Sequence, residues 1–188
     1  TSSVFVCYLS FRKVVDIPTW NALFWIILLF ASINAVAKSF ISESQGKLLY
    51  LYTLASPQAI ILSKILYNSL LMLVLSVIAF IVYSIFMGNA TTDTGLFVFC
   101  LIIGSLGFAS ILTMVSAIAS KANQNFTLMA ILSFPLMIPF LITLIKVSKN
   151  SLDGLSRGVS YKYIAILMLI NVVVLSLSFL LFPYLWRD

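Results

Sequence analysis

The chain is 188 residues long, and 62% of them are apolar while only 9% are charged. Soluble domains are about 45–50% apolar and about 25% charged, so this composition excludes a soluble globular protein. It also excludes a disordered chain, which needs low hydrophobicity and high net charge. The length predicts one domain covering 1–188, and that domain must lie mostly in lipid.

The charges are 11 Lys and Arg against 5 Asp and Glu, with no histidine, for a net charge of +6. They stand singly between apolar blocks and form no basic stripe, which excludes nucleic acid as a partner. Contact with the anionic headgroups of membrane lipid explains the basic residues better than nucleic-acid binding does. Cys7 and Cys100 both lie inside apolar runs and predict neither a disulfide nor a metal site.

Several stretches are apolar enough to cross a bilayer core, which takes about 20 residues as a helix. Their continuous apolarity, without alternation, predicts helices rather than a membrane barrel. Residues 1–10 resemble the end of a further helix, so we expect the chain to begin inside a membrane span. The predicted fold is an all-α polytopic membrane protein with six transmembrane helices, the first one truncated. The five complete spans are predicted at 20–37, 59–87, 95–119, 126–145 and 163–185.

The connections between the spans differ in kind. Residues 88–95 form a polar, turn-rich loop, and 120–125 form another short loop. A longer loop is predicted at 146–160, where polar residues accompany Gly154 and Gly158.

The connection from residue 38 to residue 58 is too polar to span the membrane and too apolar for a simple loop. Residues 42–45 match the spacing of a capping box, and Glu43 and Lys47 form a favourable i,i+4 pair. Ser56 and Pro57 predict the N-cap and first turn of the next span. We therefore predict a short interfacial helix, which either rests on the headgroups or docks a soluble partner. Its apolar side would comprise Leu48, Leu51, Tyr52 and Leu54.

The orientation of the chain in the membrane should follow the numbers of Lys and Arg residues in the loops on its two sides. One side carries five basic residues and the other six, so the rule favours neither orientation. The first set is Lys38, Lys47, Lys64, Lys121 and Arg187, and the second is Arg12, Lys13, Lys146, Lys149, Arg157 and Lys162.

Ionisable groups inside a membrane are functional candidates, and this chain has almost none. Lys64 lies about two turns into its span, from where it can snorkel to the interface. There is no zinc-protease, nucleophile-elbow or P-loop motif and no acidic residue within a span to bind a coupling ion. The sequence thus predicts no catalytic residues, no metal site and no enzyme, and energy for any transport must come from elsewhere.

Two features indicate helices that pack and bend. Gly104 and Gly107 place small residues on adjacent turns, which allows close helix approach. Pro135 and Pro139 each remove a backbone donor from their span, so a kink or a loosened hydrogen-bond ladder is expected there.

The run from Phe24 to Phe30, the run from Glu43 to Pro57, and Lys64 together resemble the CcmB family. This family provides the membrane subunit of the cytochrome c maturation ABC transporter, also called the haem exporter. The pattern is closest to the versions from Bacteroidetes-type bacteria, and further matches at 104–119 and 134–140 extend it over nearly the whole chain. The family begins with a cytoplasmic interfacial segment that this sequence lacks.

The resemblance implies an ABC-2-type permease of the bacterial inner membrane, with both termini cytoplasmic. It implies that 39–56 is a cytoplasmic coupling segment between spans two and three, which meets a separate CcmA-like ATPase. The partners would be that ATPase, a second copy of the chain, CcmC- and CcmD-like membrane subunits, and a CcmE-like haem chaperone. The coupling residues would be Glu43, Gly46, Lys47, Leu49, Leu54, Ser56 and Pro57.

No cofactor is expected on this chain, because it has no histidine to supply the usual axial imidazole for haem. Haem is a possible substrate, and ATP would be used by the partner. Two other functions stay open at this stage. One is an ABC-2 permease for a lipid, glycan or drug, and the other is a membrane scaffold that binds partners and transports nothing.

Overall fold

The structure is a computed structural model that describes residues 16–36, 56–88, 91–121, 126–155 and 157–187. Within these ranges it contains five helices and no strand, and each helix is long and apolar enough to span a membrane. The all-helical prediction and five membrane-spanning helices are therefore confirmed. The partial span at 1–10 and most of the coupling segment at 39–56 lie outside the described residues. The helices are α1 (Ile17–Val36), α2 (Pro57–Met87), α3 (Thr94–Lys121), α4 (Phe126–Leu152) and α5 (Arg157–Arg187).

The long loop predicted at 146–160 is wrong. Helix α4 continues to Leu152 and α5 begins at Arg157, so only a tight turn joins them. The sequence argument failed here because loss of apolarity marks the edge of the hydrocarbon layer, whereas a helix can continue into the headgroup region. Two of the polar residues in this stretch, Asn150 and Ser151, hydrogen-bond to neighbouring segments of the bundle.

The turn after α4 has the geometry of a Schellman C-cap. Gly154 adopts a φ of 66°, in the left-handed region that favours glycine. The Leu155 amide then donates to the Asn150 carbonyl at 3.1 Å, which is the 6→1 bond of that motif. Gly154 therefore ends α4 and turns the chain into α5.

Helix α3 is the centre of the bundle. It packs against all four other helices, and 72% of its 18-residue membrane-spanning stretch is buried. The outer helices follow one another around it in the order α1, α2, α5, α4, each packing against the next. A central helix surrounded in this way touches little lipid, and both of its glycines lie against side chains of neighbouring helices.

Successive helices run in opposite directions, so the bundle has two ends. We call one the Thr92 end; it contains residues 16–25, 83–88, 91–97, 145–155 and 157–162. We call the other the Ser56 end; it contains residues 33–36, 56–65, 114–121 and 178–187. Hydrogen bonds join the helix ends at the Thr92 end. They include those from Trp20 to Gly88, from Ser151 to Asp93 and from Asn150 to Ser160.

The outer surfaces of α2 and α5 are strongly apolar. Leu70 is 68% exposed and Ile85 is 73% exposed on α2, and Leu169 is 64% exposed on α5. Continuous apolar surfaces of this kind are not found on soluble monomers. They are the surfaces that the lipid chains or other membrane subunits contact, in agreement with the composition.

Candidate functional site

Seven residues are predicted to couple the chain to an ATPase, and the structure describes two of them. Glu43, Gly46, Lys47, Leu49 and Leu54 lie outside the described residues. Their role in contacting an ATPase stays a prediction.

The two coupling residues that the structure describes are at the start of α2. Ser56 is the N-cap, with φ −67° and ψ 148°, and Pro57 lies in the first turn, so the predicted helix start is confirmed. The Ser56 carbonyl accepts from the Ala59 amide at 3.0 Å and the Ile60 amide at 3.2 Å, while its hydroxyl makes no capping bond. The proline ring fixes φ and replaces one donor that the first turn would leave unpaired. The coupling segment therefore joins a firmly started helix at the Ser56 end.

Gly104 and Gly107 form a seam where aromatic rings approach α3. A Cβ atom on Gly104 would lie 2.9 Å from a ring carbon of Trp25 and 3.0 Å from a methyl of Leu144. A Cβ atom on Gly107 would lie 2.0 Å from Cζ of Phe140, which is closer than any side chain could remain. The glycines therefore let α1 and α4 pack their bulky side chains directly on the backbone of α3.

Pro135 and Pro139 both lie inside α4, and the helix is continuous through them. Proline has no N–H group to donate to the carbonyl four residues earlier, here the carbonyls of Ile131 and Pro135. Two backbone hydrogen bonds of α4 are therefore absent on an exposed face. Phe140 follows directly and packs against Gly107. The part of α4 that lacks two backbone hydrogen bonds therefore lies next to the contact between Phe140 and Gly107 of α3.

A buried polar network joins α1 to α4 at the Thr92 end. Nε1 of Trp25 donates to Oγ of Ser148 at 2.8 Å, and Ser148 donates to Oδ1 of Asn21 at 2.8 Å. Nδ2 of Asn21 in turn donates to the carbonyl of Ile145 at 2.8 Å. All three side chains are fully buried. Since unpaired polar groups are costly in lipid, this network fixes how α1 and α4 pair.

A second set of hydrogen bonds ties the α2–α3 connection to the end of α4. Oγ1 of Thr92 donates to the carbonyl of Ser151 at 2.6 Å, with the Leu152 carbonyl 2.8 Å away as a second acceptor. Oγ of Ser151 donates to the Asp93 carbonyl at 2.6 Å, and the Asp93 amide donates back to the Ser151 carbonyl at 3.0 Å. The Asp93 carboxylate accepts from the Leu96 amide at 3.2 Å and so caps the start of α3.

Aromatic rings fill the interior beside these bonds. Trp20 donates from Nε1 to the Gly88 carbonyl at 3.1 Å, and its own carbonyl accepts from the Tyr83 hydroxyl at 3.0 Å. The rings of Trp20 and Tyr83 meet edge to face with centroids 4.9 Å apart. Six further rings continue the cluster through the bundle: Phe24, Trp25, Phe80, Phe97, Phe108 and Phe140.

Apart from Trp20, Trp25 and Tyr83, the buried polar side chains that the structure describes are Asn, Ser or Thr. Within the described ranges no three His, Cys, Asp or Glu residues lie close enough to hold a metal ion. Cys100 is a free, buried thiol, and Lys64 is half-buried on α2.

Sequence reasoning missed the residues of the Thr92 end. Ser148 and Ser151 fall in the loop predicted at 146–160, and no sequence pattern singles out Asn21. Asn21 and Ser148 are 127 positions apart, so no local pattern links them. The available signal was weak: polar side chains recurring near the ends of two different spans.

The comparisons with known proteins agree with this architecture. A family model described as CcmB protein matches residues 16–184, which include α1 to α4 and all but the last three residues of α5. No curated protein and no solved structure matches the chain. CcmB proteins are permease subunits of a cytochrome c biogenesis ABC transporter of the inner membrane, and they are not enzymes. The family match over residues 16–184 shows that this chain belongs to the CcmB family.

Proposed function

We propose that this chain couples ATP hydrolysis by a separate CcmA-like ATPase to haem export or to release of a haem-loaded, CcmE-like chaperone. The observation that carries the proposal is the family match over residues 16–184. It favours cytochrome c biogenesis over an ABC-2 permease for a lipid, glycan or drug. Two copies of the chain, with CcmC- and CcmD-like subunits, would complete the membrane part of the complex.

The attachment of the coupling segment supports this role. Residues 37–55 connect the end of α1 at Val36 to the start of α2 at Pro57, and these two helices pack against each other. Val36 is fully buried. A partner that pushes on this segment would therefore act on α1 and α2 together. In the proposed orientation the Ser56 end and both termini face the cytoplasm.

Haem is proposed as a substrate of the complex rather than a cofactor of this chain. The sequence has no histidine, so an imidazole-ligated haem would need its ligand from another subunit.

The test compares Glu43→Ala with Lys64→Met in a strain that lacks its own copy of the protein. Glu43 belongs to the proposed ATPase contact, and its loss as a helix-start carboxylate costs only about 0.3–1 kcal/mol. We expect Glu43→Ala to abolish c-type cytochromes on haem-stained gels while membrane abundance stays normal. Lys64→Met keeps the apolar stem of the side chain, so cytochrome assembly should survive.

Co-purification of the ATPase provides the second measurement. The wild-type protein and Lys64→Met should retain the ATPase, and Glu43→Ala should lose it. Normal cytochromes in Glu43→Ala, or loss of that variant from the membrane, would remove the support for a coupling role. An ATPase whose hydrolysis is dispensable for cytochrome assembly would favour the scaffold function instead.

A further inference from the structure

Three lysines lie on the outer side of the α4–α5 hairpin. Lys146 and Lys149 are exposed on α4, whereas Val147 and Ser148 between them are fully buried, so the two lysines point away from the bundle. Lys162 is exposed on α5, two residues after the buried Ser160. We call these three residues the hairpin lysines.

The three lysines share one level along the bundle. Nδ2 of Asn150 donates to Oγ of Ser160 at 3.2 Å, which fixes how the two antiparallel helices are aligned. Because a helix rises about 1.5 Å per residue, Lys146, Lys149 and Lys162 lie within about one helical turn of the same height. Adjacent helices thus bring three ammonium groups to one layer of the membrane.

The outer surface of the hairpin changes from apolar to polar at the level of the hairpin lysines. Towards the bundle centre, the outer face is apolar, with Ile142 49% exposed, Ile166 44% exposed and Leu169 64% exposed. Tyr161 is exposed at the level of Lys149, and the turn at Gly154 lies on the other side. Lysines and tyrosines at such a boundary are typical of the layer where hydrocarbon meets headgroups.

The charge of the hairpin is strongly unbalanced. Residues 142–169 contain four basic residues, Lys146, Lys149, Arg157 and Lys162, against one acidic residue, Asp153. Asp153 is exposed in the turn after α4, four residues beyond Lys149. Asp93 adds a second carboxylate beside Ser151, where it accepts from the Leu96 amide. Four basic residues against two carboxylates still leave the hairpin with an excess of positive charge.

We propose that the hairpin lysines form a binding site for anionic phospholipids, with the headgroup phosphate at the lysines and the acyl chains along the apolar outer face of α4 and α5. A phospholipid satisfies both halves of this surface, because it carries the anion and the hydrocarbon on one molecule. A soluble acidic partner would match the charge but leave the apolar flank without a match. The proposal does not depend on ATPase coupling or on haem.

The test uses the purified full chain in nanodiscs containing phosphatidylglycerol and phosphatidylcholine in equal amounts. Lipids retained after mild detergent extraction are counted by native mass spectrometry. The wild-type protein should be enriched in phosphatidylglycerol. In a triple variant, Lys146→Gln with Lys149→Gln and Lys162→Gln, the enrichment should fall by at least about tenfold, since even two juxtamembrane lysines at about fivefold each exceed that factor. The corresponding triple arginine variant should keep it.

Asp153→Asn is the matched control in the same hairpin, and it should raise the enrichment because it removes the competing carboxylate. Inorganic phosphate at millimolar concentration should not displace the lipid, since it lacks acyl chains. Equal enrichment in the wild type and in a triple glutamine variant with an unchanged melting temperature would overturn the proposal. Displacement by phosphate alone would also overturn it. Unchanged lipid binding combined with lost cytochrome assembly would assign the lysines to a soluble acidic partner and overturn the lipid site.

Discussion

At the scale of single residues, Ser148 connects α4 to two side chains of α1 at the Thr92 end. Its hydroxyl accepts from Trp25 on α1 and donates to Asn21 on the same helix. Its proton has the Leu144 carbonyl, 2.9 Å away, as an alternative acceptor. Ser178 is also fully buried, but it bonds only to the Val174 carbonyl of its own helix. The two serines therefore differ in whether they connect helices.

We predict that Ser148→Ala destabilises the protein by about 1–2 kcal/mol, because it leaves the Trp25 N–H and Asn21 Oδ1 buried without their partner. Ser178→Ala should cost less than about 0.5 kcal/mol, since the carbonyl it releases keeps its bond in the helix ladder. Chemical unfolding in detergent, followed by tryptophan fluorescence, measures both. An equal loss of stability in the two variants would contradict a connecting role for Ser148.

At the scale of elements, close approach on α3 decides how α1 and α4 dock. Gly104 receives the Trp25 ring and Gly107 receives the Phe140 ring. In lipid, helices gain little from hydrophobic burial against one another, so contact at van der Waals distance carries much of the association. The glycine spacing in the sequence indicated such a seam, but it could not say which rings fill it.

We predict that Gly107→Ala lowers stability by about 1–3 kcal/mol, because the added methyl forces the Phe140 ring out of its position. Gly158→Ala is the matched control, since nothing lies within 4 Å of its added Cβ. That variant should be neutral or stabilising by about 0.5–1 kcal/mol. Melting temperatures in detergent compare them. If Gly107→Ala melts at the wild-type temperature, the packing of α4 on α3 does not depend on this contact.

At the scale of the whole molecule, the two ends of the bundle are built differently around the same central helix. The Thr92 end combines short turns with hydrogen bonds between α1, α4, α5 and the 91–94 connection. The Ser56 end carries the start of α2 and a separate apolar cluster of Ile60, Ile61, Ile65, Ala117 and Phe182. A helix of 31 residues is about 46 Å long, so α2 reaches beyond the hydrocarbon layer and separates the ends by a full membrane.

We predict that the ends lie on opposite sides of the membrane, with the Ser56 end in the cytoplasm. Gln58→Cys and Leu155→Cys place single thiols at exposed positions of the two ends, in a background with Cys7→Ser and Cys100→Ala. An impermeant maleimide applied to intact spheroplasts should label Leu155→Cys and should label Gln58→Cys only after lysis. Labelling of both thiols before lysis would refute the predicted topology, and the reverse pattern would invert the orientation.

The class of the protein follows from the sequence alone. Long apolar runs require helices in lipid, because every backbone group must pair within its own segment. The start of α2 also followed from Ser56 and Pro57 alone, since capping is a local property. The family resemblance rested on residues spread along the chain, and the family match confirms it.

Three features depend on how the helices pack: which helix is central, where α4 ends and which polar groups meet. In a membrane helix the faces towards lipid and towards the bundle are both apolar, so hydropathy does not show which face is buried. Helix α4 extends past its apolar part, where Asn150 and Ser151 find partners on other segments. The contact of Asn21 with Ser148 joins positions 127 residues apart. Such contacts arise from the packing of whole helices, which no local pattern encodes.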